Sequence, residues 1–348
     1  PDDAAIEAQL ADLLRGWNEA VETHLATFEE EGRAAALAAR YAPAFPTGYR
    51  LAYGPQEAAR DIARLRTLAV AEGEAARDTR AVRLYRLDGD GADTLRLKVY
   101  ITRGSLALSD AVPALENFGF RVAAEIPTFL TDPALGSIHD FILTVPAGRD
   151  ASALLERAAL IEGALAEVLN GTAEDDPFNR LIPAAGLLPA EANWLRAIYR
   201  YLRQTGVSYT IYTVVDALVA APQVTRAMID LFAARHDPTF AGDRDEAIAA
   251  AQSAFTRGLA KVTAINDDRL LRLYRAVIDA VLRTNAFAPA AAEALAFKID
   301  SALVPNLPKP VPWREIFVYS RRVEGIHLRA GPIARGGLRW SDRRDDFR

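Results

Sequence analysis

The sequence predicts an α+β fold, predominantly helical, with an antiparallel sheet set between helical stretches and a further β-rich stretch at its end. Three observations predict it. Apolar residues recur at helical spacing over 1–78 and again over 173–304. Between 79 and 172 the period switches to two, and the elements read β-β-α-β-β-α. Pro305, Pro308, Pro310 and Pro312 then form an extended linker into the last strands. Four parts follow: an N-terminal helical segment 1–78, an α+β domain 79–172, a helical bundle 173–304, and a linker with the start of another domain over 305–348. The 348 residues have room for about two to three domains.

Each element has its own signal. Ile6, Leu10, Leu13, Leu14 and Trp17 lie on one helical face. Pro43, Pro46, Gly48 and Gly54 break the helices, and Pro55 opens a new one with Ala58, Ile62, Leu65 and Leu68 inward. Tyr49 and Tyr53 read as packing residues. Val82, Leu84, Tyr85 and Leu87 make a strand, and Asp88 to Gly91 a turn. Leu95, Leu97, Val99 and Ile101 alternate with Arg96, Lys98 and Tyr100, as in a strand with one buried face. A helix with Leu108, Val112, Leu115 and Phe118 stops at Gly119. Two more strands follow, at 120–126 and 138–145, then a helix carrying Ile161, Leu165 and Val168. This order suits an antiparallel sheet with helices on one face. In the bundle, Pro189 sits in the first turn of a helix that Gly206 ends, and Pro222 opens another. Asp267 or Asp268 is expected to cap the last helix.

Composition excludes several classes. There is no cysteine, so disulfides, thiolate metal sites and a cysteine nucleophile are out. Four scattered histidines, His24, His139, His236 and His327, show no metal-ligand spacing. A net charge of −5 argues against a nucleic-acid partner. No apolar run reaches the ~20 residues a membrane span needs, and the acidic start PDDAAIEAQL is no signal peptide. A cytoplasmic protein is expected. Asp88, Asp90 and Asp93 lack the closing Glu of a calcium loop, where Val99 stands. Gly89 and Gly91 open no helix and make no dinucleotide fingerprint. Both ends, Pro1 and the charged run at Arg348, are expected to be cut from a longer protein.

The densest stretch is the last, GIHLRAGPIARGGLRWSDRRDDFR over 325–348. Gly331-Pro332 ends a strand, and Gly336-Gly337 allows a sharp turn or a close backbone approach. Arg335 and Arg339 flank the double glycine, and a guanidinium fork suits a carboxylate or phosphate. The residues alone fit two readings: an anion-binding loop after a strand, or a solvated basic turn paired with Asp342, Asp345 and Asp346.

Phe317 to Ser320, Arg322 to Gly325 and the run from Gly331 to Arg348 resemble the start of the catalytic domain of the large NAD-dependent glutamate dehydrogenases. Smaller members of that family carry K-G-G-x-R here, whose lysine helps hold the side-chain carboxylate of glutamate. In this chain that position is Arg335, followed by Gly336, Gly337 and Arg339. The resemblance implies that these four bind substrate, with Arg335 anchoring a carboxylate, the glycines allowing close approach, and Arg339 positioning the loop or pairing with a carboxylate. It places the catalytic lysine and a Rossmann domain for NAD beyond Arg348. The implied reaction is oxidative deamination of L-glutamate to 2-oxoglutarate and ammonia, by a homo-oligomer.

The layout of 79–172, with Leu115-Glu116-Asn117-Phe118-Gly119-Phe120, resembles an ACT-type domain, which is ferredoxin-like. Such domains bind amino acids, so Arg103, Gly104 and Ser105 in the 102–109 loop are candidate effector residues. A purely structural or subunit-contact role is the other reading of that loop. For the chain as a whole, the alternative to a dehydrogenase part is a non-catalytic regulatory or assembly module that binds an amino acid or a partner subunit. By itself the chain is expected to be inactive.

Overall fold

The computed structural model describes residues 16–75, 79–145, 150–332 and 336–341. The predicted stripe from Ile6 to Leu14 lies outside them. Of these, the residues up to 172, apart from 117–119, form one compact unit, and 117–119 with those from 173 onward form another.

The first unit opens with four helices, α1 (Trp17–Leu25), α2 (Glu31–Tyr41), α3 (Thr47–Ala52) and α4 (Pro55–Ala75). Pro46 holds an extended backbone before α3, and Pro55 takes the first position of α4, where a missing N–H costs nothing. Leu25, Leu37, Phe45, Ile62 and Leu65 pack into one core. Strands β1 (Arg80–Tyr85), β2 (Thr94–Ile101), β3 (Arg121–Phe129) and β4 (Ser137–Thr144) form an antiparallel sheet in the order β1-β2-β4-β3. Helix α5 (Leu108–Asn117) lies between β2 and β3 in sequence, and α6 (Ala151–Leu155) and α7 (Ala158–Leu169) follow β4. The Asp88–Gly91 turn forms as predicted: Gly89 has φ +97°, and an Asp90 carboxylate oxygen accepts from the Leu87 N–H at 2.8 Å. Helix α7 covers the β1 edge. Glu162 accepts from the Leu84 N–H at 2.8 Å, and Asn170 takes both the N–H and the carbonyl of Arg80 at 2.7 and 3.0 Å. Those edge groups would otherwise template foreign strands.

One expectation fails here. Strand β2 is not buried on one face only. Leu97 and Val99 are fully buried, but so are Lys98 and Tyr100 on the opposite face. Helices on one side of the sheet cannot account for both. Tyr100, Leu130, Leu135 and Ile138 join the α1–α4 core, so the N-terminal helices cover the face that carries Lys98.

The second unit holds α8 (Leu181–Ala185), α9 (Pro189–Gln204), α10 (Ile211–Ala220), α11 (Pro222–His236), α12 (Arg244–Leu259) and α13 (Ile265–Ala280). Pro189 and Pro222 open their helices as predicted. Ala264, not an aspartate, is the N-cap of α13; Asp267 and Asp268 lie in its first turn, where a carboxylate still meets the positive helix end. Trp194, Phe232 and Phe287 cluster, with centroids 4.9 and 5.1 Å from the Trp194 ring. No single described helix is long and apolar enough to cross a membrane.

Helix α13 runs directly into β5 (Val281–Thr284), followed by β6 (Leu295–Ile299), β7 (Arg314–Tyr319), β8 (Glu324–Arg329) and β9 (Gly336–Ser341). They make a five-stranded antiparallel sheet in sequence order. Strands β5 and β6 fall in the stretch that periodicity reads as helical bundle, so the sheet starts before the proline linker. Phe297 and Phe317 fill its core.

His236, at the end of α11, has a buried Nε2 without a hydrogen-bond partner. Burial, with the Arg235 and Arg244 guanidiniums, lowers its pKa to about 4. The folded state keeps the ring neutral, whereas the unfolded chain takes up a proton near pH 6.5. Stability of the second unit should therefore fall as pH drops from about 6.5 toward 4. His236→Phe should remove that slope in urea unfolding curves collected across this range. A slope unchanged by the substitution contradicts the assignment.

Candidate functional site

The candidate site is built on the far edge of the second sheet. Strand β7 is fixed from below by α9. The buried Glu315 accepts from the Tyr201 hydroxyl at 2.6 Å, and the Tyr201 and Phe317 rings lie 5.7 Å apart. Arg200, the neighbouring residue on α9, donates through Nε to Glu324 Oε1 at 2.8 Å and so pins the start of β8. The turn between β7 and β8 is closed by Ser320, whose N–H and hydroxyl both donate to the Val323 carbonyl at 2.9 Å. At the end of β8, Arg329 donates to the Pro332 carbonyl at 2.9 Å, and its guanidinium lies 5.5 Å from the Trp313 ring centroid. These contacts hold the chain as it leaves β8.

Strand β9 then returns antiparallel, with Gly336 opposite Arg329, Gly337 opposite Leu328, Leu338 opposite His327 and Arg339 opposite Ile326. The double glycine is thus the start of a strand and not a sharp turn, which corrects one half of the sequence reading. The other half, close approach, fits an edge strand. A glycine pair there leaves the backbone bare on both faces of the sheet. Arg335 immediately precedes β9 and lies outside the described residues, as do Arg343, Arg344 and Arg348. His327 is half-buried on β8, opposite Ile316 and Leu338.

The candidate effector residues Arg103, Gly104 and Ser105 are exposed in the loop after β2, with Gly104 at φ +76°. The Ser105 carbonyl accepts from Arg80 at 3.4 Å. They are not near the β9 residues in sequence, and they belong to the other unit.

Sequence reasoning missed the densest polar cluster, which lies between α4 and the first sheet. Lys98 Nζ, fully buried, donates to Glu57 at 2.7 Å and Asp61 at 2.6 Å. Arg83 makes a two-pronged contact with Glu57 at 2.7 and 2.9 Å. Tyr49 and Tyr100 donate to Asp61 at 2.5 and 2.7 Å. Beside them Tyr53 and Tyr85 donate to Asp140, at 2.5 and 2.6 Å. Tyr49 and Tyr53 are therefore more than packing residues. Burial pushes the Glu57 carboxyl up, but Arg83 and Lys98 outweigh it and lower its pKa to about 2. Burial raises the Asp140 pKa against its tyrosine donors. Two cations face Glu57 and Asp61, and all four groups are hydrogen-bonded, so the cluster is a scaffold joint. The alternation of β2 gave no signal for it, because the partners sit on a helix some 40 residues earlier. Among the described residues no group of three or more His, Asp or Glu is placed to hold a metal.

Comparison with known proteins agrees along the chain. Four family models match in succession: glutamate dehydrogenase helical motif 2 over 24–68, its ACT3 domain over 79–156, its helical motif 3 over 173–238, and the catalytic domain of bacterial NAD-glutamate dehydrogenase over 254–348. The NAD-specific glutamate dehydrogenase of Pseudomonas aeruginosa is 34% identical over all of this chain, and that of Halomonas elongata 37%. The Mycobacterium tuberculosis protein of the same name is 35% identical over 99% of it. The chain spans about a fifth of the length of these relatives, 22% of the first and 21% of the other two. With helical motifs, ACT3 domain and catalytic domain matched in order, the chain belongs to the family of large NAD-specific glutamate dehydrogenases.

Proposed function

We propose that this chain supplies the substrate-carboxylate edge of an NAD-dependent glutamate dehydrogenase, together with part of the scaffold behind it. The observation that carries the reading is the register of β9: it sets the Gly336-Gly337-Leu338-Arg339 run on the edge of a sheet anchored to α9, within the stretch matched by a catalytic-domain model. Arg335 would grip the side-chain carboxylate of L-glutamate or 2-oxoglutarate. Gly336 and Gly337 would let the substrate approach the backbone, and Arg339 would orient the strand or meet a carboxylate. Holding both carboxylates of glutamate fixes its α-carbon for hydride transfer. NAD is the hydride acceptor in this reading. Both described sheets are antiparallel, and no described strand feeds a glycine-rich helix start, so the described residues do not fit a dinucleotide. Its domain would lie elsewhere in the enzyme. The same reading includes a cytoplasmic homo-oligomer, and an amino acid effector at Arg103, Gly104 and Ser105.

In the complete enzyme, Arg335→Ala should raise KM for glutamate by about 10- to 100-fold, the loss of one charge-assisted hydrogen-bonded contact. KM for NAD should hardly move. Arg335→Lys should recover part of the loss, because the charge survives and the fork does not. An unchanged glutamate KM removes Arg335 from the site.

A further inference from the structure

A cleft in the first unit, about 250 Å³ in volume, opens between α2, α4, the loop after β2 and the turn before β4. Its polar wall is Arg40, Tyr41, Arg66 and Thr102, and Leu37 and Leu135 form its apolar floor. It is much larger than the about 30 Å³ that a water occupies in the liquid. It is formed by other residues than the exposed Arg103, Gly104 and Ser105. We propose that this cleft binds a small 2-oxo or 2-hydroxy monocarboxylic acid, one without an ammonium group.

Three observations point to that class. The first is an excess of cationic donors. Arg40 has no carboxylate partner among the described residues; its guanidinium lies 5.6 Å from the Tyr41 ring centroid. Among the described residues Arg66 has only a 3.9 Å contact with Glu29, whose other oxygen is held by Arg33 at 3.0 Å. Two guanidiniums beside one cleft favour an anion.

The second is Tyr41. It is only 4% exposed and lines the cleft. Burial raises its pKa against the opposing pull of Arg40, so it stays a protonated donor at neutral pH. A ligand oxygen next to a carboxylate would meet that donor.

The third is what the cleft lacks. Among the described residues no acidic side chain lines it, and both Glu29 oxygens already face guanidiniums. An amino acid's ammonium would be stripped of water there without compensation. Leu37 and Leu135 offer an apolar surface that inorganic phosphate cannot use.

The test is calorimetric titration of the 348-residue chain with 2-oxoisovalerate, L-valine and inorganic phosphate in parallel. The oxo acid should bind saturably at millimolar concentration or below, and the other two about tenfold more weakly or not at all. Tyr41→Phe should weaken the oxo acid by about 3- to 10-fold, and Arg40→Gln, an exposed position, by about tenfold or more. Circular dichroism should show both variants folded. The proposal is overturned by the absence of saturable heat with 2-oxoisovalerate, by equal affinity for valine or phosphate, or by folded variants that bind as the parent does.

Discussion

Lys98→Met is expected to cost the first unit about 3–5 kcal/mol, the range for removing one partner of a buried ion pair. The substitution keeps an unbranched side chain of nearly the same length, with sulfur in place of Cδ, and deletes the ammonium. That ammonium lies 2.7 Å from Glu57 and 2.6 Å from Asp61, with Tyr53 and Tyr85 ring centroids 4.5 and 5.0 Å away. Without it, two carboxylates share Arg83 in a place water does not reach. Converting Asp61 to Asn in the same protein should recover much of the loss, since Arg83 then pairs with Glu57 and no charge is left uncompensated. Urea unfolding followed by circular dichroism measures both. A single-variant cost below about 1 kcal/mol, the level of an exposed pair, would mean the cluster is solvated.

The same cluster sets an acid limit. Glu57 has a folded-state pKa of about 2 against an ordinary 4.5. A lowered carboxyl contributes stability that is complete above the unfolded value and lost as pH falls through the folded one. The loss should therefore run from about pH 4.5 down to about 2. In Lys98→Met, with one of the two depressing cations gone, the folded-state value moves back toward the ordinary one, so the loss should be smaller and end at higher pH.

Gly136→Ala should be the second severe change, at about 3 kcal/mol or more. Gly136 has φ +101° and ψ −163°, a region essentially reserved for glycine and worth about 1–3 kcal/mol of strain to other residues. A Cβ there would also stand 2.2 Å from the Ile101 carbonyl oxygen and 3.0 Å from the Thr102 Cα. Both are backbone atoms, so neither can swing aside as a side chain would. The comparison is Gly89→Ala. Gly89 has a similar φ of +97°, but a Cβ there meets nothing within 4 Å. Backbone strain alone then predicts the smaller loss. Equal losses for the two variants would show that the contact with Ile101 is not tight.

Much of the helical architecture was legible, for local reasons. Pro55, Pro189 and Pro222 each begin a helix, and Gly119 and Gly206 each end one with positive φ. Those signals act within a turn of chain. What stayed hidden depends on partners far away. Lys98 reads as a solvent-facing residue until α4 places Glu57 and Asp61 against it. Val281 to Thr284 reads as the end of a helix, because Leu282 continues the α13 stripe from Ile278; the backbone nevertheless turns extended at Val281, and β6 captures the segment. The Gly336-Gly337 pair was misjudged for the same reason. Glycine permits a turn, but ladder pairing with Leu328 and Arg329 makes it a strand. Of the candidate site, the sequence supplied the residue types, and the pairing of β9 with β8 is what the structure adds.

The central claim is that the arginine ahead of β9 recognises the side-chain carboxylate of the substrate. Its most direct test compares L-glutamate with L-norvaline, which lacks that carboxylate, in the complete enzyme and in its Arg335→Ala variant. The account predicts that kcat/KM for glutamate falls by about 10- to 100-fold while that for norvaline changes little, so that the preference for glutamate collapses. Loss of activity toward both substrates in equal proportion, with the preference intact, would contradict it.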